Sequence, residues 1–373
     1  MKYLHIIQLN ERNTYNLYKQ FYKVFNMDEH VFFVMNKKSN LKNFPKFKEF
    51  DKFVYLPEKN IIKKLIMILK YFFSARNVIF NSLLFNNNKY IYLYSFLSIL
   101  KKNIYWVEWG GDLYNWKRPS NTLTNIIMNI ANYNLRRRMK GVGVTTECDD
   151  VEVQKQFSDR KPILYTPLPF GEDRFETLDR VMSCVNYDDN SINIQIAHNS
   201  LSINNHLEII ALISKYSEND IKVFFPLSYG VFGIGGQYGG KKYLKSVINM
   251  AKKTFGEKVV IMSKGMPLEK YLEHLWGIDI AIFGSERPIG MANILYLLYM
   301  NKKVFLHKST PLYTFLKRKG IDIYAIEDIP NMSFDEFITP VPVKEINPWV
   351  RNKFVPSKEI KEWEKFFKFI EAN

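Results

Sequence analysis

The sequence predicts an α/β protein built from two doubly wound parallel sheets. Short apolar runs of strand length alternate with amphipathic stretches of helix length, which is the pattern of βαβ units. The alternation breaks in a polar, acidic stretch between residues 171 and 193 and then restarts. A chain of 373 residues suits two domains, each able to bury its own core. The expected division is 1–180, 181–345 and a C-terminal helical tail over 346–373.

In the first half, residues 3–9, 31–35, 53–56, 77–81, 104–108 and 141–146 are mostly short apolar or β-branched runs. Such runs suit strands covered on both faces. Helices are expected over 14–25, 60–77 and 90–100, where apolar residues recur at helical spacing. The second half repeats the order, with strands at 192–197, 221–225, 258–262, 278–283 and 303–306. Helices over 206–215, 243–254, 268–275 and 290–299 separate or follow them, and 358–372 forms an amphipathic tail. The most complete unit is IDIAIFGSERPIGMANILYLLYMNKKVFL at 278–306, which reads as strand, polar loop, helix and strand.

The composition is globular, with 47% hydrophobic and 16% aromatic residues. Lys and Arg number 53 against 37 Asp and Glu, a formal net charge of +16. That excess implies an anionic partner: nucleic acid, a phosphorylated small molecule or a membrane surface. The helix over 60–77 interleaves Ile, Leu, Met and Phe with Lys63, Lys64, Lys70 and Arg76. It suits either an anionic bilayer surface or a packed helix with a wet basic edge. The run LRRRMK at 135–140 extends such a patch or is a solvated face. Cys148 and Cys184 make neither a disulfide framework nor a metal pair, so a reducing cytoplasm is expected. The start MKYLHIIQLNER has too short an apolar core for a signal peptide, and no run approaches the roughly 18 to 20 apolar residues of a membrane span.

Three loops carry candidate chemistry. In WGGDLY (109–114), Gly110 and Gly111 allow a sharp turn and close approach of a ligand. Asp112, or else Glu108, offers a carboxylate as general base toward a hydroxyl, although an Asp there also suits a turn cap. In AHNSLSINNHLEII (197–210), Asn199 and Ser200 precede a helix start that suits a diphosphate, and also suit N-capping. In GSERPIG (284–290), Ser285, Glu286 and Arg287 stand between a strand end and a helix start, where an anion binds readily. Phe225 and Tyr229 are placed to stack on a base. The glycine-rich stretch GVFGIGGQYGGKKY fails as a phosphate loop because Lys242 replaces the required Ser or Thr. His198 and His206 lack a second pair of metal ligands at suitable spacing. No Asp-x-Asp pair and no early G-x-G-x-x-G stand in the chain, which disfavours metal-dependent sugar transfer and nicotinamide chemistry.

Four blocks, in order, carry a family resemblance: VEWGGDLY (107–114), AHNSLSINNHLEII (197–210), FPLSYG (225–230) and FGSERPIGMANILYLLYMNKKVFL (283–306). Together they resemble glycosyltransferase family 56, bacterial transferases that move 4-acetamido-4,6-dideoxygalactose from dTDP to a polyprenyl-diphosphate-linked saccharide. The resemblance implies a GT-B fold, two Rossmann-like domains facing across a cleft, with the last helix packing back toward the first. It places the nucleotide sugar on Asn199, Ser200, Tyr229 and the loop from Ser285 to Asn293, Gly290 included, and a catalytic acid near Asp112. The acceptor side includes Gly110 and Gly111.

Two departures bear on the donor. The family's loop tends to begin Gly-Asn-Ser-Gly, whereas His198 precedes Asn199 here and Leu201 follows Ser200. Its Gly-Ile-Gly becomes Pro288-Ile289-Gly290. The expected partners are a nucleotide sugar, a lipid-linked glycan acceptor and an anionic membrane surface, with no nucleic acid and no metal or other cofactor. The expected location is the cytoplasm, peripheral on the inner face of a bacterial plasma membrane, in polysaccharide biosynthesis. The alternatives are a nucleotide-sugar epimerase on the same fold and a basic nucleic-acid-binding protein.

Overall fold

The computed structural model describes every residue except 9–10, 36–44, 58–59, 85–88, 158–160, 169–173, 185–190, 229, 231–239 and 343–344. Two compact units emerge, Met1–Gly171 with Pro356–Asn373, and Glu172–Val355.

The first unit runs β1 (Tyr3–Ile7), α1 (Glu11–Val24), β2 (His30–Val34), β3 (Phe53–Tyr55), α2 (Ile61–Ser74), β4 (Asn77–Asn81) and α3 (Lys89–Leu100). It continues with β5 (Ile104–Val107), α4 (Gly111–Tyr114), α5 (Leu123–Arg137), β6 (Gly141–Val144), α6 (Asp150–Gln156) and β7 (Ile163–Tyr165). The second unit runs α7 (Arg174–Cys184), β8 (Ile192–Ile196), α8 (His206–Ile213), β9 (Ile221–Pro226), α9 (Gly240–Phe255), β10 (Val259–Met262) and α10 (Leu268–Trp276). It continues with β11 (Ile280–Phe283), α11 (Met291–Tyr299), β12 (Lys303–Leu306), α12 (Pro311–Arg318), β13 (Tyr324–Ala325), α13 (Phe334–Ile338) and α14 (Pro348–Asn352). The closing helix, α15 (Pro356–Ala372), returns to the first unit.

Among the described residues, the first sheet has seven strands in the order β3-β2-β1-β4-β5-β6-β7, and the second has six in the order β10-β9-β8-β11-β12-β13. Every pairing is parallel, so the strands of each sheet point the same way, and the central strands β1, β4, β5, β6, β11 and β12 are buried on both faces. Alternate residues of β1 divide between two cores. Leu4 and Ile6 face the core closed by α2, α3 and α5, while Tyr3 and Ile7 face the one closed by α1 and α15. Trp363 of α15 is fully buried, packs its ring 4.9 Å from Phe21 and donates its Nε1–H to the Pro167 carbonyl at 2.8 Å. The second sheet closes its own core through Ile194, Ile196, Phe225, Ile280 and Ile282.

The acidic stretch where the alternation breaks contains α7, whose Asp179 accepts from the Tyr299 hydroxyl at 2.8 Å. Several elements have no counterpart in the sequence reading, among them the short helices α4, α6, α12, α13 and α14, and three others show why. β7 and β13 are sheet-edge strands of three and two residues, too short for a periodic signal. α5 has four asparagines among its fifteen residues, which blurs its apolar stripe.

Candidate active site

In the second sheet the strand order reverses between β8 and β11: the chain steps outward to β9 and β10, then returns to β11 and runs on to β12 and β13. The crevice beyond the carboxyl ends of strands at such a reversal is the usual ligand site of an open sheet. Two loops meet there, 197–205 after β8 and 284–290 after β11. Asn205 donates its Nδ2–H to the Gly284 carbonyl at 2.7 Å. A Cβ on Gly284 would stand 2.6 Å from the Asn204 carbonyl oxygen, so only glycine allows this approach. Gly290, at φ +70°, is the second contact: a Cβ there would lie 2.7 Å from Nδ1 of His198.

Neutral side chains hold the first loop. Asn199 Oδ1 accepts from the Leu201 amide at 2.9 Å and from Asn204 Nδ2 at 2.7 Å. Its own Nδ2 donates to His198 Nε2 at 2.9 Å, which places the imidazole proton on Nδ1, the side facing Gly290. Burial, and then the neighbouring His206, lower the His198 pKa to about 3, so the ring is neutral. Ala197 takes a positive φ of 60°, uncommon for a residue with a Cβ, where β8 gives way to this loop.

The two helix starts at the crevice differ. At α8 the His206 amide already donates to the Tyr243 hydroxyl at 3.1 Å, so one amide of this start has a protein partner. At α11 the N-cap is Gly290, and no side chain caps the first turn. The Arg287 amide donates to Ser285 Oγ at 3.3 Å, and the Nε and Nη1 atoms of Arg287 are buried. Glu286 is exposed, whereas Ser200 and Ser285 are buried. Asn293, in the first turn of α11, accepts from the Tyr271 hydroxyl. Phe225 is a correction: it is completely buried in the core of the second unit and has no face to offer a base. Tyr229 and Gly235 lie outside the described residues.

Sequence reasoning missed the next two strand ends on this rim. Glu327, just past β13, accepts from the Lys308 amide at 3.0 Å and pairs with the His307 ring at 3.2 Å, beyond β12. No spacing in the chain connects the two, because their strands are neighbours only in the sheet.

The first unit's rim is built on charge. Asp112 is completely buried: Oδ2 accepts from the Trp106 indole at 2.7 Å and the Leu83 amide at 2.8 Å, and Oδ1 from the Trp109 amide at 2.7 Å. Both oxygens are engaged, which corrects the reading of Asp112 as a carboxylate offered to a substrate. Glu108 is also completely buried, accepting from the Thr145 amide at 2.8 Å and from the Gly110 amide. Burial, then the carboxylates of Asp149 and Asp112, raise its pKa well above the usual range, so it too is a correction to a surface base. Together they hold the turn at 109–111, where Gly110 has φ +69° and a Cβ on Gly111 would come within 2.9 Å of the tip of the Leu84 side chain.

Arg136 completes this rim and corrects the reading of LRRRMK as a wet basic run. It is buried between the rings of Trp106 and Trp116, 5.1 Å from each, and donates to the Asp112 carbonyl at 3.0 Å and to Asn132 Oδ1 at 2.6 Å. Burial lowers its pKa to about 10, which leaves it charged near neutrality. Arg137 and Arg138 alone of the three are exposed.

Solved structures share this architecture over the full chain. HepE of Anabaena, solved in complex with UDP, matches with a TM-score of 0.66 at 10% identity, covering 100% of both chains. Sucrose-phosphate synthase of Thermosynechococcus elongatus matches with a TM-score of 0.65 at 9% identity, again over 100% of both. The α,α-trehalose 6-phosphate synthase of Burkholderia multivorans gives 0.58 at 8%, covering 100% of this chain and 96% of its own. At such identities the likeness shows the fold alone, and that fold is GT-B. Family membership comes from the sequence: the model of glycosyl transferase group 56, 4-alpha-L-fucosyltransferase, matches residues 12–336. With both sheets, their strand reversals and that match in agreement, the chain belongs to glycosyl transferase group 56 and is a GT-B glycosyltransferase.

Proposed function

We propose that the chain transfers a deoxy-amino hexose, or a similar hexose, from a nucleotide-diphosphate sugar, dTDP-linked, to a glycan on polyprenyl diphosphate in bacterial surface polysaccharide synthesis. One observation carries the donor half of this reading. The start of α11 lacks a side-chain cap, stands at the strand reversal and has Arg287 three residues before its N-cap Gly290. Helix-start amides and a guanidinium are the groups that take up charge on a departing nucleoside diphosphate. In this proposal they do so without a metal ion. Neutral His198 directs its Nδ1–H toward the same turn, and exposed Glu286 accepts from hydroxyls of the sugar or ribose. That HepE was solved with UDP and with UDP-glucose supports a nucleotide-sugar donor.

On the first unit, the turn at Gly110 and Gly111 presents backbone to the acceptor, and Asp112 and Glu108 act as positioning residues that hold it. A lipid-linked acceptor sets the enzyme at the inner face of the plasma membrane. The test is a thermal-shift panel of dTDP, UDP and GDP, followed by transfer from a dTDP-sugar to a polyprenyl-diphosphate-linked glycan. Stabilisation by dTDP above the other two, with lipid-dependent turnover, is the expected result. No shift with any nucleoside diphosphate would overturn the donor assignment.

A further inference from the structure

The first unit carries an outward surface that sugar transfer does not explain. α2, α3 and α5 lie side by side on one face of the seven-stranded sheet, since Phe72, Tyr94 and Leu135 enter the same core. The rings of Phe72 and Tyr94 stand 6.0 Å apart, and the Tyr92 hydroxyl donates to the Thr124 carbonyl at 3.4 Å, which links the three helices in a row. A helix packed on a sheet normally turns its polar side to water. These three do not. Ile62 (70% exposed) and Ile66 (59%) on α2, Phe96 (61%) and Ile99 (59%) on α3, and Ile127 and Ile130 on α5 all point outward. Apolar exposure spread over three neighbouring elements marks an interaction surface.

The charge on this region has one sign. Residues 59–146 contain fourteen Lys and Arg against two acids, Glu108 and Asp112, and both acids are completely buried. What faces water is therefore cationic, with Lys63, Lys70, Lys102, Arg137 and Arg138 all exposed.

We propose that the outer face of α2, α3 and α5 docks on an anionic lipid bilayer. The isoleucines and Phe96 enter the boundary between headgroups and acyl chains, and the Lys and Arg side chains meet lipid phosphates. Among the described residues no helix is long and apolar enough to cross a membrane, so the helices lie on the surface. A nucleic acid would use the cations but leave the branched aliphatic side chains unmatched. A second copy on this face would bring like charges together. The inference deepens the proposed placement at the membrane by naming the face that docks, and its observations come from the outer helices and not from the donor loops.

The experiment is co-sedimentation of the full chain with phosphatidylcholine vesicles, with and without phosphatidylglycerol, at low and high salt. The wild type is expected to partition onto anionic vesicles and to leave neutral ones largely unbound. Neutralising Lys63 and Lys70 together (Lys63→Gln, Lys70→Gln) lowers the partition coefficient about thirtyfold, since each lysine near such a surface contributes about fivefold. Ile62→Ser with Ile66→Ser and Phe96→Ser lowers it at least tenfold at either salt concentration, with the melting temperature held. No partition of the wild type, or partition indifferent to both variants, overturns the proposal. So does a concentration-dependent dimer that the apolar variant abolishes, because it gives this face to a second copy. The dTDP thermal shift is read on the same samples, so a failed membrane result and a failed donor assignment remain distinct.

Discussion

The rims of the two sheets solve the same problem with opposite chemistry. Both must pin loops beyond parallel strands without leaving buried amides unmatched. The first does it with carboxylates, Glu108 and Asp112 collecting five amide or indole hydrogen bonds, balanced by buried Arg136. The second does it with Asn199, Asn204, Asn205 and a neutral His198, and keeps its cation, Arg287, beside an uncapped helix start. The acids of the first rim are spent on amides, an indole and Arg136, whereas the neutral staples of the second leave the helix dipole and Arg287 to set the local field. The comparison supports the proposed donor site on the second rim and the proposed positioning role for the acids of the first.

The largest expected effect tests the acids. Asp112→Ala strands the Leu83 and Trp109 amides and the Trp106 indole, and should cost about 4 kcal/mol in denaturant unfolding. Asp112→Asn keeps an oxygen acceptor and should cost about half as much, with dTDP affinity unchanged. An Asp112→Asn enzyme of wild-type stability but no turnover would return Asp112 to catalysis and break the comparison.

Acidification separates the rims next. His198 and His206 have folded pKa values lowered by burial to about 3 and about 4. Their stabilising contribution is complete above the unfolded value of about 6.5 and is lost as pH falls toward the folded values. Between pH 7.5 and 5.5 the two together should remove about 3 kcal/mol by linkage. Glu108 has the opposite sign: its raised pKa makes the folded state lose stability as pH rises above the unfolded value. Buried His5 and His30 add to the acid loss, so the decisive measurement is a pH series of melting temperatures with and without His198→Gln. An unchanged slope in the variant would show that His198 is not held neutral.

Smaller effects sharpen the donor side. Arg287→Ala should weaken dTDP binding about thirtyfold, equivalent to about 2 kcal/mol for a charge-assisted contact. Calorimetric affinities equal to wild type would remove Arg287 from the site. Gly290→Ala forces a Cβ into the left-handed region and against His198, and should cost about 1 kcal/mol of stability along with a measurable loss of nucleotide affinity. A variant that binds dTDP normally would show that this turn is not part of the cradle.

The central strands were legible because parallel strands covered on both faces are continuous apolar runs. The ends of 77–81 and 303–306 agree with β4 and β12 residue for residue, while most other boundaries shift by one to three residues. Edge strands β7 and β13 were not legible, since two or three residues carry no period. The loop at 284–290 was recognisable as a strand-to-helix turn of polar residues. The engagement of Asp112 was not, because its partners at Leu83 and Trp106 arrive from separate strands.

What the amino-acid sequence determined by itself was the alternation of elements, the two-part layout, the family and the excess of positive charge. Each follows from residue type and local order, which need no partner elsewhere in the chain. Only the tertiary structure decided which polar groups are spent on holding the fold and which remain for a ligand. Phe225 and Phe96 are the same residue type, yet one is sealed in a core and the other faces outward. Arg136 and Arg137 are neighbours, yet one lies between two tryptophans and the other in water. Burial and hydrogen-bond partners depend on which strands and helices become neighbours, and that is a property of the sheet order rather than of any stretch read alone.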